Sequence, residues 1–548
     1  MRAAANADPR PAAACAPVVP PDPHLTVRWH GAHSPGELPG GALFARLEEV
    51  LPVRFLADAG PGAADATVTG TAGEPALTLR ATRLDASTLT LTVPVRARPA
   101  PLAPLAVTFA DAPHVPWPFR GRTVETRVPA GAAVQGLRPT ERVLAWGGGL
   151  PLLSVELSPE SLAYRSALAL PELPEDGAVQ EFFNGTRFLE LLPLLHLLQR
   201  AQGAAAWRPA PLRAAFIVDD PNLHWPRYGC VDYHRFAEHA QRHRYHVAFA
   251  TIPLDAWYTH AATAGLFRRH PDLLSLVVHG NDHTSDELAR PRPRSARRAL
   301  LQQALRRIGR LEARAGLEVG RVMVAPHGAC SSDMLAELPS CGFESACIST
   351  GSLRAHNRAE AWTRSAGLLP SEHVRGCPVL PRWGLAAGVP NALLLAAYLG
   401  QALILSGHHR DCRDDLERFA EAARFINGLG EVRWADLPTL SRLNYQWRRE
   451  GATLQVRPFG SRVSLELPRD ADGLAVSVHP CAGGGSWALQ ARPAEPDPVG
   501  GATVARRVLL ERSAEGTDVD EALDPPALRA RFVLRRLLTE TRDRLAVL

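Results

Sequence analysis

Apolar and polar residues alternate with a period of two in two outer stretches of this chain, and the stretch between them follows a different rule. From 25 to 185, Leu25, Val27 and Trp29 alternate with polar neighbours, as do Leu89, Leu91, Val93 and Val95, and Val124, Thr126 and Val128. That is the pattern of half-buried strands. Pro94 predicts an edge or a strand end, and Leu43, Leu47 and Leu51 place a short helix over 42–51. Residues 187–202 read as a helix that Pro193 kinks or splits. From about 211 to 440, apolar runs at 214–219, 246–252, 273–279, 321–326, 343–348, 377–381 and 402–406 are separated by helical segments. These helices fall at 232–244, at 295–315 with Leu301, Leu305 and Ile308 on the buried stripe, and at 414–427. In the last, Asp414 is the expected cap, Leu416, Phe419, Ala423 and Ile426 form one face, and Gly428 ends the helix. Seven βα units over this length predict a closed or nearly closed barrel, with an open doubly wound sheet as the alternative. No Gly-rich phosphate loop follows the first strand, which argues against a dinucleotide fold. Alternation returns after Trp447, in Leu454 and Val456, in Val463 to Leu467, and in Leu474, Val476 and Val478. The end, 526–547, reads as an Arg-rich amphipathic helix with Leu528, Phe532 and Leu538 on its stripe. Such a stripe more often faces a core than a membrane surface. The expected organisation is a disordered leader over 1–24, a β-rich accessory domain over 25–185, a (β/α) barrel over 186–448, and a β-rich domain with a terminal helix over 449–548.

The chemistry lies where the apolar runs of the middle stretch end. Phe216-Ile-Val218 runs into Asp219 and Asp220, and Leu276-Val-Val278 into His279-Gly-Asn-Asp-His283. Val322-Met-Val324 runs into Ala325-Pro-His-Gly328, and Leu403-Ile-Leu405 into Ser406-Gly-His-His409. Paired carboxylates at the end of a buried strand are costly unless something binds or uses them. The carboxyl ends of parallel strands are also where α/β folds place their sites. Two imidazoles four residues apart, with a carboxylate from elsewhere, make a facial set for Zn²⁺ or a similar divalent ion. Asp219 and Asp220 are the obvious carboxylate source, one as ligand and the other as general base. With 20 histidines in the chain, the His279/His283 spacing alone is weak. The four strand ends taken in order carry the signal.

Composition removes several chemistries. The chain has 548 residues, a net charge of +5 and no lysine, so Schiff-base and P-loop lysine mechanisms are excluded. The modest charge points to no nucleic-acid partner. The 8 cysteines show no CxxC or finger spacing and read as free thiols of a reducing compartment. No signal peptide or membrane span is recognised. The apolar stretch 392–407 reads as a buried helix running into a strand. A cytoplasmic location is the expectation, although most relatives of the family named next act on extracellular or envelope glycans. Oligomeric state is not legible.

The order Asp-Asp, His-x-x-x-His, x-Pro-x-Gly, Leu-x-x-His resembles the polysaccharide deacetylase family, the NodB-type (family 4) carbohydrate esterases. The resemblance spans roughly the middle 45% of the chain, judged by motif order. It implies a distorted (β/α)7 barrel that removes N-acetyl or O-acetyl groups from sugars with a bound divalent metal, most often zinc. It also implies Asp219 as base, Asp220, His279 and His283 as metal ligands, and His408 as the acid that protonates the leaving amine. Three positions depart from the family pattern. Gly280 stands where Ser or Thr is usual, Val324 where an arginine orients the base, and His327 where an aromatic residue is usual. Arg382 is a candidate for the missing guanidinium and His409 a rival to His408. His224 and Asn281 lie close to the motifs. The reading is a metal-dependent deacetylase acting on an acetylated sugar or glycan. Its rivals are a non-catalytic carbohydrate-binding protein on a degenerate barrel, and a two-carboxylate glycoside hydrolase, which adjacent aspartates suit poorly.

Overall fold

The computed structural model describes residues 25–30, 41–57, 77–82, 88–92, 101–158, 161–203, 206–385, 389–467, 475–479, 487–492, 506–512 and 530–545. The expected leader over 1–24 lies outside them, as do Val93, Pro94, Val95, Leu474 and Leu528. The molecule is α/β. Its centre is a mostly parallel sheet of seven principal strands: β1 Arg213–Asp219, β2 Val247–Thr251, β3 Leu274–Val278, β4 Val319–Val324, β5 Ser345–Cys347, β6 Cys377–Leu380 and β7 Leu403–His408. Each matches an apolar run of the sequence to within about two residues, the usual scatter of strand boundaries. Neighbours pair in chain order, and β1 also pairs with β7. Between β6 and β7 the pairing passes through a single stretch of chain. Val379 and Leu380 pair with β5, and Trp383 and Gly384, just beyond, pair with Leu405 and Ser406 of β7.

Strand alternation sorts this sheet onto two cores. Ala215, Ile217, Ala248, Ala250, Val277, Val322, Val324, Cys347, Leu380, Ala402 and Ile404 share one cluster. Phe216, Val218, Val247, Phe249, Leu276, Val278, Met323 and Leu405 pack on the other side, with the helices. The first cluster is built largely of alanine and valine. A sheet buried on both faces explains why these runs read as continuous apolar stretches.

The helices include α1 Tyr233–His243, α2 Arg294–Ala315 and α3 Glu417–Asn427. Two expectations about helix ends need correction. Leu416 with φ 66° holds the N-cap position of α3 and supplies no side-chain cap, while Asp414 pairs with Arg418 at 3.0 Å. Pro193 sits in the first turn of the helix Leu192–Ala201 and neither kinks nor splits it. The first turn has no intrahelical partner for its N–H groups, so proline costs nothing there. Before the central sheet, nine strands between Leu25 and Ser166 form one sheet, with the short helix at Gly41–Val50 burying Leu43 and Leu47. After it, Tyr445–Glu450 and Thr453–Pro458 form a hairpin within a four-stranded sheet, and Arg462–Leu467, Arg506–Arg512 and Trp487–Arg492 form a three-stranded one. The first strand of the hairpin already contains Trp447, so the β pattern begins earlier than the sequence suggests. The last described helix is α4, Ala530–Leu545. No helix among the described residues is long and apolar enough to cross a membrane.

Candidate metal centre

Parity along the strands decides what meets at their carboxyl ends. The inner positions of β1 are 215 and 217, so Asp219 continues that face. By the same count His279 continues β3, Arg382 continues β6, and His408 continues β7 from 402 and 404. Asp219 and His408 are register partners on adjacent strands, so their backbones lie about 4.8 Å apart.

Alternation alone would send Asp220 to the opposite face. It adopts φ 81° instead, a left-handed conformation that costs a non-glycine residue about 1–2 kcal/mol and that Asp tolerates better than most. Its Oδ1 then lies 3.2 Å from His279 Nε2 and 2.9 Å from His283 Nε2. His283 at φ 53° and His327 at φ 55° share the unusual backbone region. Three such residues converging on one spot is the distribution expected of strain held at a working site.

The loop from 280 to 283 is held by one carboxylate. Glu287 accepts from the backbone N–H groups of Asn281, Asp282 and His283 at 2.6, 3.0 and 3.3 Å. Gly280, at φ 64°, lets the loop pass. A Cβ there would lie 2.1 Å from Glu287 Oε1 and 2.6 Å from Pro326. The residue usual in the resembling family therefore does not fit, and the departure at 280 follows from the Glu287 clamp. Asn281 belongs to the same support. It donates to Gln303 at 2.8 Å and accepts from Arg307 at 2.7 Å, fully buried.

The donor set has the chemistry of a cation site. The Val324 carbonyl can only accept, and it lies 2.9 Å from His279 Nδ1. Nδ1 therefore carries the proton and Nε2 turns a lone pair toward Asp220 Oδ1. That oxygen is buried, and nothing donates to it while the two Nε2 atoms are unprotonated. Two lone pairs at this distance need a second proton or a cation between them. Burial lowers the His279 pKa, but the Asp220 hydrogen bond and the nearby Asp219 charge leave it raised. Burial likewise works to raise the Asp220 carboxyl, and His279 and His283 hold it well below the usual carboxylate range. One ligand atom from each of the three residues lies within 4.8 Å of the others, which fits a divalent ion with two imidazoles and one carboxylate. The hydrogen bond on His279 Nδ1 is the outer support that such ligands need.

Beside this set, Arg382 Nη1 donates to both oxygens of the buried Asp219, at 3.1 and 2.9 Å. Burial works against the guanidinium charge, but Asp219 raises its pKa further. The arginine absent at Val324 is thus matched by one arriving from the gap between β6 and Trp383. His408 is exposed at the mouth, and its backbone N–H donates to the Asp411 carboxylate at 2.8 Å. His409 turns away. It is buried, 3.5 Å from Asp543, with its ring edge-on to Tyr228. His327 is exposed, with its ring 4.9 Å from that of His283. His224 is a bracing residue, contacting the Asp255 carbonyl at 2.8 Å and Glu540 at 3.4 Å. Sequence reasoning missed Glu287, because nothing in the spacing distinguishes a loop carboxylate whose partners are backbone N–H groups.

No family model and no curated protein matches the chain. Among solved structures, it is similar to a family 4 carbohydrate esterase from Streptomyces lividans in complex with acetate, at 12% identity and TM-score 0.26, covering 42% of this chain and 94% of that one. It is also similar to a CE4 esterase from Streptococcus mutans, at 13% identity and TM-score 0.27, covering 41% and 87%. A CE4 family pseudoenzyme from Bacillus anthracis matches at 13% identity and TM-score 0.23, covering 41% and 71%.

Proposed function

We propose that this chain is a metal-dependent hydrolase that removes an acetyl group from an N-acetylated sugar or glycan. It does so on a distorted (β/α)7 barrel within 186–448, flanked by β-rich units at 25–185 and 449–548. The chain-order pairing, with β1 beside β7 and the segment 377–384 bridging β5 and β7, supports the barrel. One observation carries the chemistry. The Asp220-His279-His283 set stands beside an Asp219 gripped by arginine, and His408 is its register neighbour.

Asp220, His279 and His283 would hold the ion, and two imidazoles with one carboxylate suit Zn²⁺. When bound, the ion polarises the acyl carbonyl and makes its water acidic. Asp219 takes the proton of the attacking water. Arg382 fixes the Asp219 carboxylate through two hydrogen bonds from one guanidinium nitrogen. His408, in its imidazolium form, gives a ring proton to the departing nitrogen and is left as the neutral imidazole. The degenerate-barrel rival draws on Val324, but Arg382 answers that departure.

The test is acetate release from a panel of N-acetylglucosamine oligomers and conjugates. We expect wild-type turnover and a loss of about 10²-fold or more in Asp219→Asn and in His279→Ala. Equal rates in all three proteins would remove the assignment.

A further inference from the structure

Helix α4 is amphipathic in the reverse of the expected sense. Arg536, Glu540 and Asp543 face inward. Arg536 grips the buried Asp255 carboxylate, Glu540 meets His224, and Asp543 accepts from Tyr228 at 3.0 Å and meets His409. These partners lie on the segments that follow β1, β2 and β7, so α4 rests on the same end of the sheet as Asp219 and Asp220.

Its leucines face outward. Leu534, Leu537 and Leu538 are 59%, 48% and 62% exposed. The other exposed residues of α4 are Ala530, Arg531, Arg535, Thr541 and Arg542, with no carboxylate among them. The apolar surface continues beyond the helix. Leu537 and Val533 share a cleft with Trp257, Arg310 and Arg314. Trp257, at 59%, and Tyr258, at 47%, are exposed with ring centroids 5.9 Å apart. Trp225, at 56%, lies under the Arg544 guanidinium at the far end of the helix.

We propose that this face is a docking surface for an anionic lipid bilayer. Leucines flanked by tryptophan, tyrosine and arginine match the layers of a bilayer interface. Leucine reaches the acyl boundary, the amphipathic aromatics sit at headgroup level, and arginines meet anionic headgroups. A second copy of the same face is a poor occupant, because a two-fold contact would bring Arg531 and Arg535 against their copies with no exposed carboxylate on the helix between them. Docking in this way sets the strand ends that carry Asp219 and Asp220 beside the membrane surface. The proposal does not depend on the hydrolase reading.

The test is flotation of the full chain with vesicles of phosphatidylcholine alone and of phosphatidylcholine with phosphatidylglycerol. Wild type should float with the anionic vesicles and release at high salt. Leu534→Gln with Leu538→Gln should abolish flotation. Arg531→Gln with Arg535→Gln should weaken it by about fivefold per arginine removed. Unchanged melting temperatures and far-ultraviolet spectra would show that these outward substitutions leave the fold intact. Failure of wild type to float with anionic vesicles at low salt overturns the proposal. So does flotation that the leucine pair does not affect. A dimer in light scattering that the leucine pair dissolves would assign the face to a second copy and overturn it equally.

Discussion

Asp219 and Arg382 are separated by 163 positions and meet through two hydrogen bonds to one guanidinium nitrogen. If Arg382 fixes the base, Arg382→Met should cut turnover by about 10²-fold or more while leaving metal content unchanged. Initial rates with metal analysis on the same preparation decide it, and a fully active variant would reduce Arg382 to a packing role. Gly280 offers a second check. Gly280→Ser restores the residue usual in the resembling family and drives a Cβ into Glu287 and Pro326. We expect a destabilisation of about 1–3 kcal/mol, the usual result of overpacking, seen as a lower melting temperature. An unchanged melting temperature would contradict the clamp. At this scale the residues legible in the sequence were those whose chemistry is conspicuous at the end of an apolar run: Asp219, Asp220, His279, His283 and His408. Arg382 was only a candidate, because its partner is set by the sheet and not by its neighbours. His408 was preferred to His409 on its spacing from Leu405 alone, and its register pairing with Asp219 is what the structure adds.

The loop after β3 and helix α4 are both elements positioned by carboxylates. Glu287 holds three backbone N–H groups next to a proposed metal ligand. Glu287→Gln should therefore lower metal affinity by about 10–100-fold, the usual cost of removing an outer support. Titration with a chromophoric Zn²⁺ competitor measures it, and an affinity equal to wild type would sink the clamp's functional role. In α4, burial works to raise the Glu540 carboxyl, but His224 and Arg544 bring it down from its ordinary value of 4.5 to about 2. A carboxyl depressed on docking contributes stability that is fully present above 4.5 and is lost as pH falls through about 2. Amide exchange in α4 should lose protection relative to β1 across that window, and Glu540→Gln should remove the difference. Identical profiles in the two proteins would contradict the linkage. The helix itself was legible from its arginine-rich periodicity. Which face turns inward was not, because Arg536, Glu540 and Asp543 find partners on three distant segments. Leu538, expected on a buried stripe, is open to solvent.

Across the whole molecule, the seven strands stood out because a sheet covered on both faces makes apolar runs, and those runs end where the polar residues begin. How the chain passes from β6 to β7 was less legible. The two-residue strand Trp383–Gly384, which reaches β7 from the end of β6, has no hydrophobic signature of its own. The alternating stretches before and after gave sheets but no chemistry. Everything functional therefore converges on one question: whether strands some sixty residues apart in sequence deliver Asp220, His279 and His283 to a common ion. The most direct measurement is the metal content of the full chain, purified without chelator and then offered Zn²⁺, for wild type, Asp220→Asn and His283→Ala. The account predicts a single tightly held divalent ion per wild-type chain and its loss from both variants. A wild-type chain that takes up no ion, or variants that hold it equally well, would contradict it.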